Sequence, residues 1–144
     1  MTDSKREAER LMNDLLPFAK QMLTEYGEFH PFGGFIRADG SIVQVGVDDP
    51  RSEFPKASEL LEIMRSDFRR RAIQEGITAA AVVFNVAVVA PGSREKTDAI
   101  QVTVEHRASY CADVFIPYRL RTGGVLEFGT SFAQQGTGRV FLSK

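Results

Sequence analysis

Apolar positions along the chain change their period several times, and each change marks an element. From about Asp3 to Tyr26 they fall at Ala8, Leu11, Met12, Leu15, Leu16, Ala19, Met22, Leu23 and Tyr26. This i, i+3, i+4 spacing places them on one stripe of an amphipathic helix. Pro17 removes a backbone donor, which predicts a kink or two shorter helices, and Gly27 is placed to stop the run. A second helix is predicted from about Pro55 to Glu75, with Ser52 as N-cap, Pro55 in the first turn and Gly76 as the stop. Its buried stripe is Ala57, Leu60, Leu61, Met64, Phe68 and Ala72.

Strand patterns fill the rest. Ile77 to Ala90 is almost unbroken apolar, the signature of a strand covered on both faces. Within a strand at 98–108, Ile100, Val102, Val104 and His106 alternate with Gln101, Thr103, Glu105 and Arg107. The second set is expected to face water, so Glu105→Leu should be tolerated while Val104→Asp should unfold the domain. Asp39-Gly40 favours a type I′ turn between strands at about 32–38 and 41–47, and Gly33-Gly34 signals a bulge or a close backbone approach. Asp48 to Ser52 reads as a surface connection and Pro91 to Thr97 as a polar loop. Pro117 argues that strand 110–121 is broken, or lies at an edge for part of its length. Thr122-Gly123-Gly124 then turns into a strand at about 125–129. The tail from Thr130 to Lys144 reads as an ordered extension, or as a loop ending in a short strand from Arg139 to Leu142.

The expected class is α+β: order α-β-β-α-β-β-β(-β), two helices, and a mainly antiparallel sheet of five to six strands in one domain spanning 1–144. Two helices cannot fully cover both faces of such a sheet, which leaves one side partly solvated or available to a partner. This order of elements resembles the profilin-like and roadblock-like α/β sandwiches, which implies a scaffold for binding and dimerisation. The strings YGEFHPFGGFIRADG (Tyr26 to Gly40) and FAQQGTGRVF (Phe132 to Phe141) also resemble those of small bacterial proteins with no known activity.

Composition adds mainly exclusions. A net charge of −1 gives no field that would steer the chain to nucleic acid or to an anionic membrane. The dense basic group Arg65, Arg69, Arg70 and Arg71 reads as a solvated helix face. The single cysteine, Cys111, excludes an intrachain disulfide and a cysteine zinc cage. A polar, charged N-terminus carries no secretory pattern and the longest apolar run is too short to span a bilayer, so a cytoplasmic protein without membrane contact is expected.

Candidate chemistry is sparse. His30 sits in Phe29-His30-Pro31-Phe32-Gly33-Gly34, a stiff aromatic segment able to hold an imidazole beside a cavity. His106 lies on the apolar face of its strand, five residues from Cys111 across a turn at Ala108-Ser109, within reach of a thiolate–imidazole pair if the fold joins them. A pocket between the first helix and the sheet would draw on Phe29, His30, Phe32, His106, Tyr110, Cys111, Asp113 and Tyr118. Glu105, Asp113 and Glu127 have Arg107, Arg119 and Arg121 as cross-strand partners. Neither the histidines nor the glycine pairs have metal-ligand or phosphate-loop spacing, so no metal and no cofactor are expected. The leading function is a non-enzymatic interaction module, a homodimer or the binder of a protein partner, acting through a sheet face or an edge at 98–108 or 125–129. The alternative is a small-molecule-binding protein or enzyme with its pocket near His30 and His106.

Overall fold

The computed structural model describes residues 2–46 and 56–141. Helix α1 (Thr2–Tyr26) leads into β1 (Phe32–Ile36) and β2 (Ile42–Gly46), followed by α2 (Ala57–Gln74). Five strands follow: β3 (Ala79–Val89), β4 (Lys96–His106), β5 (Tyr110–Arg121), β6 (Val125–Phe128) and β7 (Phe132–Gln135). They form one antiparallel sheet in the order β2-β1-β3-β4-β5-β6, with β7 also paired to β5. The α+β class holds, with seven strands in place of five or six. No helix among the described residues is long and apolar enough to cross a membrane.

Helix α1 is a single helix. Pro17 lies on its exposed side beside exposed Asn13, so the carbonyl that loses its i+4 donor faces water and the helix continues. Ala8, Leu11, Leu15, Ala19 and Leu23 are fully buried, whereas Tyr26 is 70% exposed and falls off the predicted stripe. Leu60, Leu61, Met64 and Phe68 form the buried side of α2, and Ala57 is exposed. Ser52, Pro55 and the Asp48 to Ser52 connection lie outside the described residues. Gly27 and Gly76 end the helices in the left-handed conformation, at φ of 74° and 68°.

The first hairpin departs from its predicted turn. Gly40 N–H bonds to the Arg37 carbonyl, Arg37 N–H bonds to the Ser41 carbonyl, and only Gly40 has positive φ, at 91°. A type I′ turn needs positive φ at both central residues, so this is the longer type I form with a left-handed glycine. Asp39 steadies it by accepting hydrogen bonds from the Ser41 hydroxyl and N–H, which hold its carboxyl below the usual range.

Gly33 and Gly34 are sites of close approach. A Cβ on Gly34 would stand 2.7 Å from the Val43 carbonyl oxygen and 2.9 Å from Leu15 Cδ2 of α1. A Cβ on Gly33 would meet the Ala81 carbonyl oxygen at 2.4 Å and Phe68 of α2 at 3.3 Å. The two helices therefore approach β1 from opposite faces, over a centre completed by Ala79, Ala80 and Ala81.

Coverage of the two faces is unequal. Helix α1 crosses β1 to β6 and buries Phe32, Ile36, Ala79, Ala81, Val83, Ile100, Val102 and Val104. Helix α2 packs on β1 and β3, over Phe35, Ala80 and Val82. Strand β3 is accordingly buried only from Ala79 to Val83, and from Phe84 to Val89 it alternates between half-buried and exposed. The expectation of a strand covered on both faces holds for its first half.

Strand β4 is interior, between β3 and β5, so 98–108 is not an edge. Strand β5 is continuous and interior as well, despite Pro117. Gly129 N–H donates to the Pro117 carbonyl at 2.8 Å, which shows that Pro117 turns its backbone toward β6 and β7. Tyr118 pairs with Phe128 and Phe115 with Phe132, so four steps on the outer strand match three on β5. Proline's missing donor falls at this bulge, where no ladder bond needs it.

Gly34→Ala should lower stability by about 1–3 kcal/mol through overpacking between Leu15 and β2. Gly46→Ala, where a Cβ meets nothing within 4 Å, should stay within about 0.5 kcal/mol of wild type in chemical denaturation.

Candidate functional site

The densest polar cluster lies on the α2 side of β4 and β5. Gln101, Thr103 and Glu105 of β4 share this face with Cys111 and Asp113 of β5. Instead of facing water, Thr103 is 7% exposed and Glu105 only 4%. The cover comes from α2 and from the chain after β7, whose Val140 is 5% exposed and packs with Phe68 and Val82.

A buried carboxylate needs several donors, and Glu105 has them. Oε1 accepts from Arg139 N–H at 2.9 Å and Val140 N–H at 3.0 Å, with Phe141 N–H at the longer distance of 3.4 Å. Oε2 also accepts from Val140 N–H, at 3.2 Å. The expectation that Glu105 is solvent-facing is therefore reversed, because a segment distant in sequence supplies backbone amides to it. Beside it, Thr103 donates its hydroxyl to Asp113 Oδ1 at 2.7 Å, and Gln101 Nε2 donates to Thr103 at 3.1 Å.

Arg65 of α2 completes the cluster. Burial, and then the charge of Arg139, lowers its affinity for its proton, while Glu62, Glu105 and Asp113 oppose that shift. Cys111 is half-buried with its thiol pushed up to about 11, by burial first and then by Glu105 and Asp113. A thiol so placed is protonated near neutral pH and is a poor nucleophile. Gly136 lies directly over it, since a Cβ there would be 2.7 Å from Sγ. A cavity of about 10 Å³ remains between Arg65, Thr103, Glu105 and Val140, the volume of a single water probe.

The other predicted pocket residues do not converge with this cluster. His106 is on the opposite face from Cys111, facing Glu7 of α1 with Nε2 at 2.5 Å from Oε1. Ala108 N–H donates to Nδ1 at 3.0 Å, which assigns the ring proton to Nε2 and the histidine to a structural bond between β4 and α1. Tyr110 is half-buried against the α1-side core. His30 is exposed, while Phe29 and Phe18 pack edge-on against buried Phe32. Tyr118 is buried at the far end of the sheet, donates its hydroxyl to Asn85, and has its phenol pushed up to about 12 by burial and by Asp98.

The basic residues of α2 are largely neutralised within the helix. Arg70 and Arg71 pair with Asp67, Arg71 also with Glu75, and Arg69 with Glu62. Arg71 also lies over the Phe35 ring at 4.8 Å. Burial acts to raise the Asp67 carboxyl, but hydrogen bonds from Arg71 and Arg70 overcome it and lower its pKa. Of the predicted cross-strand pairs, Arg121 with Glu127 forms, at 2.5 Å. An open groove of about 680 Å³ runs along Lys96, Thr97, Asp98, Tyr118, Arg119 and Arg121, away from both histidines. Among the described residues no group of three or more His, Cys, Asp or Glu could hold a metal ion.

Beyond α2 the same face of the sheet is largely apolar. Phe84, Gln101, Phe115 and Phe132 form one row across four strands, and Val86, Ala99 and Pro117 form the next. Phe115 and Phe132 stack at 5.0 Å, with 17° between their rings. Phe84, Val86, Val88 and Phe132 are half-buried, with Phe84 at the margin of the α2-side core. Sequence reading missed this row because Phe132 was assigned to a tail and not to a strand.

No protein-family model, curated protein or solved structure matches this chain.

Two tests follow from the polar cluster. Glu105→Leu should cost about 1–3 kcal/mol in chemical denaturation, because it strands backbone amides that the carboxylate now satisfies. Cys111 releases its proton in the unfolded chain near its ordinary value of 9.0 and in the fold near 11. The Cys111 contribution to stability should therefore be constant below about pH 9 and be lost between about pH 9 and 11, and Cys111→Ala should remove that component of the decline.

Proposed function

We propose that this chain is a non-enzymatic interaction module that receives a protein partner on the half of the sheet beyond α2. The observation that carries this reading is the set of half-buried apolar side chains Phe84, Val86, Val88 and Phe132 on the half of this face beyond α2. Apolar side chains gathered on one face gain by excluding water against a second surface. The sheet edges support a face over an edge as the contact. β2 offers five residues, and the opposite edge is split by a bulge into two four-residue strands, which makes both short templates for strand addition. A second copy of the chain is the simplest partner, because two such faces can stack at the ordinary sheet spacing of about 10 Å.

The chemistry of these side chains fits binding better than catalysis. The thiol is proton-bound, His106 is committed to Glu7 and Ala108, and Asp113 is engaged by Thr103. A small-ligand reading has one feature in its favour, the open groove along Tyr118, Arg119 and Arg121, whose volume of about 680 Å³ is adequate for a small molecule.

Light scattering across concentration, with native mass spectrometry of the same sample, tests the proposal. A dimer of the 16.0 kDa chain is expected, and Val86→Glu should weaken it at least about tenfold while leaving the melting temperature close to wild type. A monomer at every concentration, or a dimer indifferent to Val86→Glu, counts against self-association through this face. A co-purified small molecule on a monomer would move the assignment to the groove.

A further inference from the structure

The last described residues cross the α2 side of the sheet, and most of their hydrogen bonds converge on one side chain, Glu105. From Thr137 to Arg139 the chain is exposed, Val140 is buried and Phe141 is half-buried. Glu105 accepts the N–H groups of Arg139, Val140 and, at 3.4 Å, Phe141, Arg69 donates to the Arg139 carbonyl at 2.9 Å, and Gly136 N–H donates to the Cys111 carbonyl at 3.1 Å. Glycines at 136 and 138 flank Thr137, so the backbone leading into these ties is permissive.

We propose that residues 136–141 form a strap that opens and closes without unfolding the body, with the Glu105 carboxylate as its latch and Val140 as its anchor. Segments held by few buried apolar contacts open at lower free energy than the core they cover. A latch made by one carboxylate concentrates the hold in a single side chain, since hydrogen bonds to a charged acceptor are about twice as strong as neutral ones. In the closed form burial first, and then the charge of Arg139, lowers the proton affinity of half-buried Arg65, while Glu62, Glu105 and Asp113 oppose that shift.

Opening would have a definite consequence. Glu105, Cys111, Asp113 and Arg65 would come into view as a mixed-charge surface adjoining the apolar row at Phe115. The second face would then run without interruption from α2 to the far end of the sheet. This proposal does not depend on which partner, if any, uses that face.

Native-state thiol labelling tests it in a Cys111→Ser background, comparing a probe in the strap, Val140→Cys, with one in the core of β3, Ala81→Cys. The strap probe should be modified at least about 100-fold faster than the core probe under native conditions, and adding Glu105→Gln should speed it about tenfold further. Equal rates for the two probes would show that the segment leaves only with global unfolding, and would overturn the proposal. A strap rate indifferent to Glu105→Gln would overturn the carboxylate's role as latch. Hydrogen exchange of the unsubstituted protein gives a readout independent of the probes: amides 139–141 should exchange well ahead of amides 79–83, and simultaneous exchange would again overturn the idea.

Discussion

Both helices reach the sheet because its centre carries almost no side chain. Gly33 and Gly34 of β1 pair with Val82 and Ala81 of β3, leaving space for Leu15 of α1 on one side and for Met64 and Phe68 of α2 on the other. Close packing of this kind is unforgiving, because an added methyl must displace backbone or a fully buried leucine. The rest of the architecture follows from that contact. With both helices seated at the same central place, α1 runs outward across β4 to β6, while α2 stays over β1 and β3.

The unequal cover that results explains where polar chemistry appears. On the α1 side apolar packing is continuous, and the buried titratable groups on it are bonded, His106 by Glu7 and Ala108 and Tyr118 to Asn85. On the α2 side the helix ends before the sheet does, and the chain after β7 covers part of the remainder. That chain brings backbone amides into a buried place, where they need an acceptor. Glu105 supplies it. The carboxylate and the covering segment therefore satisfy each other, and burial of either alone would be unfavourable.

The bulge opposite Pro117 links these features. The extra residue on the outer strand shifts the side-chain phase, so that Phe128 of β6 points to the α1 side under Lys20 while Phe132 of β7 points to the α2 side against Phe115. One proline and one added residue thus decide which face of the sheet receives each phenylalanine. They also place Gly136 over Cys111, from which the covering segment departs.

Local pattern was enough for what depends on neighbours in sequence. The helical stripe from Ala8 to Leu23, the glycine stops at 27 and 76, the strand at 110–121 and the tightness at Gly33-Gly34 are all readable from spacing, because periodicity and backbone freedom are properties of the segment itself. Alternation in β4 correctly separated Val102, Val104 and His106 from Thr103 and Glu105, since the pleat enforces it. What alternation cannot tell is whether the second set meets water. That was decided by residues 139–141, some 35 positions away, as the Glu105 to Val140 bonds show. Likewise, the opposite orientation of His106 and Cys111 and the interior place of β4 depend on which strands pair. Pairing of strands far apart in sequence is a property of the whole sheet, set by how buried faces and backbone donors are satisfied together.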